Sequence, residues 1–171
     1  MFSENESLDQ AIARNVRDAL YEDLGRGDWT ANLVPANQTA HAKLIVREPA
    51  VLCGTSWFNA VIQSLDSRAR VDWLFSEGDW MAPDSLVCEI TANARALLSA
   101  ERPAMNFLQT LSATATTTRR YVRRLQVPAP IPRDVPFWIP AKRSLGYVKL
   151  KNMPFEWVMV RTNGSPYGMA S

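Results

Sequence analysis

Apolar residues recur at helical spacing over the first part of the chain. Leu8, Ile12, Val16 and Leu20 would share one face of a helix, so the pattern predicts an amphipathic helix over residues 8–24. Glycines directly after this stretch supply a C-cap and a turn, and they predict that the helix ends there.

Residues 40–91 alternate between strand and helix patterns. A helix capped by Thr55 or Ser56 is predicted to run to about residue 65, with Phe58, Val61 and Ile62 on its buried face. Gly78-Asp79 and Pro83-Asp84 are typical turn sequences. The predicted strands cover residues 40–48, 51–53, 70–75 and 85–91.

A long helical pattern begins at Ala94, and Pro103 is expected to end or kink it. Residues 114–125 are predicted to form a further helix. The fold class is therefore α+β, a small antiparallel sheet packed by helices, with a first domain at residues 1–112 and a following helix at 113–126.

Residues 127–171 differ from the rest of the chain. They hold most of its 11 prolines, which interrupt every candidate helix or strand, and their apolar residues have no sustained period. We predict a poorly ordered tail. A proline-rich tail that binds a partner is the alternative.

Composition adds bounds on the class of protein. With 47% hydrophobic and 21% charged residues and a net charge of +2, the chain is typical of a soluble globular protein, and charge gives no case for nucleic-acid binding. No apolar run is long enough for a membrane helix. The acidic N-terminus does not resemble a secretory signal, so a cytoplasmic location is expected. Cys53 and Cys88 are predicted to be buried, reduced thiols.

Three stretches resemble one enzyme family in the right order. They are Tyr-Glu-Asp-Leu-Gly-Arg-Gly-Asp-Trp-Thr-Ala-Asn-Leu-Val-Pro at residues 21–35, Glu77-Gly78-Asp79 with Ala82-Pro83, and residues 94–122, which contain Ser-Ala-Glu-Arg-Pro-Ala-Met-Asn-Phe-Leu-Gln. The family is quinolinate phosphoribosyltransferase (nicotinate-nucleotide pyrophosphorylase, carboxylating). Met105 and Ala113 depart from it, since the family usually has Leu and Gly there.

The resemblance implies a two-domain, homodimeric enzyme. Its N-terminal domain packs against the α/β barrel of the partner subunit, and the barrel, which is essentially missing from this chain, carries most of the active site. The reaction transfers phosphoribose from phosphoribosyl pyrophosphate to quinolinate, with Mg²⁺, and yields nicotinate mononucleotide, pyrophosphate and carbon dioxide in NAD biosynthesis. No ligand for Mg²⁺ is identified in this sequence.

Only Arg102 is carried over from the family as a site residue. It matches the arginine that the N-terminal domain projects into the neighbouring active site, where a guanidinium fork suits the two carboxylates of quinolinate. Without the resemblance, an exposed helical arginine paired with a nearby acid is the simpler interpretation. No catalytic residue is identified. His41 is predicted to face solvent, and the cluster Arg119, Arg120, Arg123 and Arg124 to be a solvated basic face rather than a phosphate site.

The tail is consistent with the family in another reading frame. When the third base of each codon is read with the first two of the next, Trp138-Ile139 encodes Asp, Met153-Pro154 encodes Ala, and Trp157-Val158 encodes Gly, each without freedom of codon choice. These residues agree with family motifs that the printed tail lacks. We therefore expect a frame shift near residues 126–128, and a chain that is inactive alone.

Two other functions remain open. Residues 77–90 also resemble the sheet turn of lipoyl or biotinyl carrier domains, although Lys43, the only lysine before Lys142, lies in mid-strand rather than at a hairpin tip. The chain could instead be a truncated partner subunit that supplies Arg102 to an intact copy.

Overall fold

The computed structural model describes residues 6–25, 27–28, 31–124 and 155–160. The first helix, α1 (Leu8–Leu24), has the predicted bounds. Ser7 and Gln10 form a capping box at its start, in which each side chain accepts a hydrogen bond from the other residue's backbone N–H. Ile12 and Val16 bury its apolar face, so helical spacing and capping act together here.

The described strands are β1 (Thr39–Val46), β2 (Ala50–Val51), β3 (Arg70–Trp73), β4 (Trp80–Met81), β5 (Ser85–Asn93) and β6 (Phe155–Val160). A four-stranded antiparallel sheet forms the centre of the fold, in the order β3-β5-β1-β6. The two short strands β2 and β4 pair separately.

Alternation along β1 determines which face of the sheet is covered. Ala40, Ala42, Leu44 and Val46 are buried, whereas the residues between them point outward. The register between β1 and β5 shifts between Leu44 and Ile45. Helices cover the buried face, and this arrangement confirms the predicted fold class. No α/β barrel occurs within the described residues.

The helices α2 (Thr55–Leu65) and α3 (Ala94–Arg124) pack against each other. Phe58 of α2 lies at the centre of the core, with its ring centroid 5.2 Å from that of Trp73 and 5.8 Å from that of Trp157. Pro103 was expected to end or kink α3, and it does not end the helix, which continues to Arg124. The proline ring is fully buried, so packing favours the continued helix. The helix also crosses the predicted domain boundary at residue 112 unbroken.

The start of α2 differs from the prediction. Neither Thr55 nor Ser56 is its N-cap; Gly54 occupies that position with φ of 106°. The carboxylate of Glu77 replaces a capping side chain: it accepts hydrogen bonds from the backbone N–H groups of Gly54 and Thr55, at 2.6 and 3.1 Å. An acid distant in sequence thus caps the N-terminus of α2, and the local sequence could not predict this.

The strand β6 lies within the stretch where no strand or helix was expected. Its six residues pair with β1 from His41↔Val160 to Val46↔Phe155. Phe155 is buried, Trp157 packs against the core, and Glu156 faces outward to Arg47. A short alternating segment thus formed a strand despite the flanking prolines. The predicted division of residues 113–171 stays a prediction, and the forced codon positions Trp138-Ile139 and Met153-Pro154 lie outside the described residues.

Candidate functional site

Arg102 lies on α3 one turn after Ser99, facing the end of α1. Its Nη1 is 3.9 Å from Oδ1 of Asp23, the residue before the last of α1. The Arg102 side chain is 75% exposed, whereas that of Asp23 is 23% exposed. The long distance and the exposure make this a weak ion pair, which leaves the guanidinium group largely available to another carboxylate.

Two carboxyl groups around Arg102 are affected by burial. Burial raises the pKa of Asp23 above its ordinary value, against the opposing effect of the Arg102 charge. The pKa of Glu101 is raised for the same reason and opposed by the same charge. The charge of Arg102 therefore offsets only part of the effect of burial on the pKa of each acid.

The two longest stretches of family resemblance meet at this point of the fold. Ser99 on α3 donates a hydrogen bond of 2.8 Å to Asp28, whose other oxygen accepts from the N–H of Ala31 at 3.0 Å. Arg95 on α3 donates to the carbonyl oxygen of Val34. Together with the Asp23–Arg102 pair, these contacts hold Asp28 and Val34 against the first part of α3.

A cleft of about 460 Å³ opens between these two stretches. Its walls come from the end of α1, the 3₁₀ turn Ala31–Leu33 and the start of α3. Asp28 and Arg95 line it, but each is already engaged in the contacts above. The charged side chains that line the cleft therefore hold the surrounding segments together.

This arrangement offers a guanidinium group that can bind a carboxylate. Arg102 provides one guanidinium fork, and among the described residues the carboxylate that pairs with it is that of Asp23. In the described part of the chain no group of three or more His, Cys, Asp or Glu could hold a metal ion. These residues therefore provide no fitting set of ligands for the Mg²⁺ that the resemblance implies.

The remaining candidates lie elsewhere. His41 is exposed on β1, as predicted, and its Nδ1 is 2.9 Å from the hydroxyl of Thr91. Lys43 pairs across the sheet with Glu89 at 3.0 Å, in the middle of β1, which is not where a carrier domain presents its lysine. Cys88 is buried and Cys53 half-buried, and both are free thiols.

Sequence reasoning proposed Arg102 as a site residue and allowed for a nearby acid, but it did not point to Asp23 as that acid. Asp23 belongs to the quoted stretch 21–35, so its position in the resemblance was the available signal. Its contact with a residue far along the chain could come only from the packing of α1 on α3.

Among the described residues, no helix is both long enough and apolar enough to span a membrane.

Comparison with known proteins identifies the same family. Residues 28–112 match the family described as "Quinolinate phosphoribosyl transferase, N-terminal domain". A probable nicotinate-nucleotide pyrophosphorylase (carboxylating) of Synechocystis sp. is 32% identical over 106 residues, which are 62% of this chain and 36% of that protein. A Bacillus subtilis protein of the same name is 31% identical over 104 residues, again 36% of its length.

Solved structures agree with these sequence relatives. The nicotinate-nucleotide pyrophosphorylase of Francisella tularensis has a TM-score of 0.66 and 37% identity, covering 70% of this chain and 43% of that one. NadC from Streptococcus pyogenes gives a TM-score of 0.68 at 31% identity, covering 73% and 45%. The chain thus spans little more than a third of the curated relatives and under half of the solved chains.

Proposed function

Residues 28–112 are an N-terminal domain of the quinolinate phosphoribosyltransferase family, and from this we propose that the chain takes part in quinolinate phosphoribosyl transfer only through Arg102. In this proposal the domain packs on the barrel of a full-length subunit and places Arg102 in that subunit's active site. Alone, the chain catalyses no transfer.

The observation that carries the proposal is the state of Arg102. Most of its side chain is exposed, and the carboxylate with which it pairs, that of Asp23, lies 3.9 Å away. By contrast, Arg14 is held by both oxygens of Glu6, at 2.9 Å each. A guanidinium group that binds a substrate must first release its partner within the chain. A weak, exposed ion pair can be broken with little loss of free energy.

The chemistry of quinolinate fits this group. A planar guanidinium makes two parallel hydrogen bonds to one carboxylate, which fixes orientation as well as charge. Quinolinate carries two carboxylates, so a single fork from this chain needs further cations from the barrel. Transition-state stabilisation in such a reaction also requires donors and charges arranged in an enclosed site. These requirements are why we propose that the chain is inactive alone.

The proposal is tested by complementation. The 171-residue chain is first assayed alone with quinolinate, phosphoribosyl pyrophosphate and Mg²⁺, and no nicotinate mononucleotide is expected. It is then mixed with Streptococcus pyogenes NadC in which the arginine matching Arg102 is replaced by Ala. We expect a mixed assembly on gel filtration and a recovery of product formation.

Variants of the chain separate the steps of the proposal. Arg102→Ala should form the mixed assembly without restoring activity, and Arg102→Lys should restore part of it, because a lysine keeps the charge but lacks the fork. Arg68→Ala, at a side chain that is 89% exposed, is the matched control and should restore activity fully. Product formed by the chain alone would overturn its inactivity. A mixed assembly that stays inactive with Arg102 would overturn the role of that residue, and the absence of any assembly would overturn the packing.

A further inference from the structure

The C-terminal turns of α3 bring two arginines to one indole ring. The guanidinium carbon of Arg119 lies 5.0 Å from the ring centroid of Trp80, and that of Arg123 lies 5.6 Å from it. Trp80 is on β4 and remains 37% exposed. Because both distances are within the range of cation–π attraction, one ring attracts two like charges.

Arg120 and Arg124 add two further charges on the neighbouring side of the same turns. None of these four arginines forms an ion pair within the part of the chain that the structure describes. The other described arginines differ. Each pairs with a carboxylate, except Arg95, which donates to the carbonyl of Val34.

Structural needs explain only part of this concentration of charge. Cations near a helix C-terminus are favourable with the helix dipole, by about 0.3–1 kcal/mol each when exposed. Residues four apart on a helix are neighbours, however, and like charges at that spacing repel one another. Arg119 and Arg123 have this spacing. Their stacking on Trp80 therefore maintains a repulsive pair that an anion between them would relieve.

We propose that Arg119 and Arg123, held on Trp80 and supported by Arg120 and Arg124, form a binding site for a small phosphate anion with at least two negative charges, such as a diphosphate group. Guanidinium groups bind phosphate oxygens through two parallel hydrogen bonds. The indole fixes both forks before the anion arrives, which lowers the entropy lost on binding. The site is separate from Arg102 and does not depend on the proposed function.

The test uses the 171-residue chain and inorganic pyrophosphate at about 0.15 M salt, where the Debye length of about 8 Å screens isolated surface charges. Titration calorimetry should show saturable binding. Arg119→Gln/Arg123→Gln should weaken it at least about tenfold, because charge-assisted hydrogen bonds are lost. The matched control, Arg17→Gln/Arg68→Gln, removes the same charge from exposed arginines elsewhere and should change the affinity less than about twofold.

Two further variants distinguish the details of the site. Arg119→Lys/Arg123→Lys keeps the charge and loses the forks, so it should bind more weakly than the wild type and more tightly than the glutamine pair. Trp80→Phe should keep most of the binding but lose the change in tryptophan fluorescence on addition of pyrophosphate. Thermal melts confirm that each variant is folded.

Several results would overturn the proposal. Equal weakening in the control pair would reduce the effect to overall charge, and an affinity unaffected by the Arg119/Arg123 pair would place any binding elsewhere. The absence of saturable binding would remove the site altogether. A single-stranded oligonucleotide that binds more tightly than pyrophosphate, at equal phosphate concentration, would reject a small anion as the ligand.

Discussion

Gly54 is the position where a single methyl group should do most harm to this fold. Its φ of 106° is a conformation that residues with a side chain rarely adopt, and it begins α2. A Cβ placed there would lie 2.8 Å from Cδ1 and 3.2 Å from Cβ of Leu111 on α3. The substitution Gly54→Ala therefore combines backbone strain with a steric clash between two packed helices.

The magnitude follows from these two contributions. Left-handed backbone costs a residue with a side chain about 1–2 kcal/mol, and overpacking a filled core adds about 1–3 kcal/mol. We expect Gly54→Ala to lower the free energy of unfolding by about 2–5 kcal/mol, a large part of the about 5–15 kcal/mol typical of a domain. Urea denaturation monitored by circular dichroism measures this change, and the melting temperature should fall by about 2–4 °C per kcal/mol.

Gly78→Ala is the matched control. Gly78 also has a positive φ, of 89°, but a Cβ there would meet nothing within 4 Å. Gly78→Ala should therefore lower the free energy of unfolding through backbone strain alone, without a steric clash. Both variants share the effect of alanine on the unfolded chain. Two variants equal within about 0.5 kcal/mol would refute the clash. In a double-mutant cycle, Leu111→Ala should cost less in the Gly54→Ala background than in the wild type.

Three further predictions concern β6, a capping acid and a thiol. Phe155→Ala should destabilise the fold by about 3–5 kcal/mol in urea denaturation, whereas Glu156→Ala on the outer side of the same strand should cost under about 1 kcal/mol; equal effects would mean that β6 adds nothing to the core. Hydrogen bonds from the N–H groups of Asn93 and Arg68 lower the pKa of Asp66 below 3.8, so its stabilising effect is present above that value and is lost as the pH falls through the folded pKa. Asp66→Asn should accordingly lower the melting temperature at pH 7 and change it less as the pH falls below 3.8; a difference that does not shrink as the pH is lowered would contradict this origin. Burial raises the pKa of Cys53 to about 12, so iodoacetamide at pH 8 should alkylate it on the order of 10²–10³ times more slowly in the native protein than in urea; similar rates would contradict its shielding.

The success of sequence reasoning depended on whether a feature was local. The bounds of α1 could be predicted because the apolar period, the cap and the glycine stop all lie within one stretch. The N-cap of α2 could not, since its acid, Glu77, comes from another part of the chain. The possible end of α3 at Pro103 was predicted from local sequence alone, and the helix continues there because the proline packs in the core.

The candidate site shows the same limit. Family motifs pointed to Arg102 as a candidate, but only the packing of α1 on α3 brought Asp23 close to it. The stacking of Arg119 and Arg123 on Trp80 was likewise invisible, because a two-residue strand such as β4 leaves no periodic signal. Charge clustering could be read from the sequence, whereas the ring that organises it could not.

The pairing of β6 with β1 also means that β1 stays without this partner strand during much of synthesis on the ribosome. β1 emerges early, yet the strand that covers its outer edge is encoded more than a hundred residues later. At about 5–20 residues per second, translation leaves that edge unpaired for on the order of 10 s. Throughout this interval the nascent chain presents free backbone donors and acceptors to its neighbours on a polysome. Slower translation of the proline-containing segment before residue 155 would lengthen this exposure, and yield of soluble protein should depend on how quickly that segment is made.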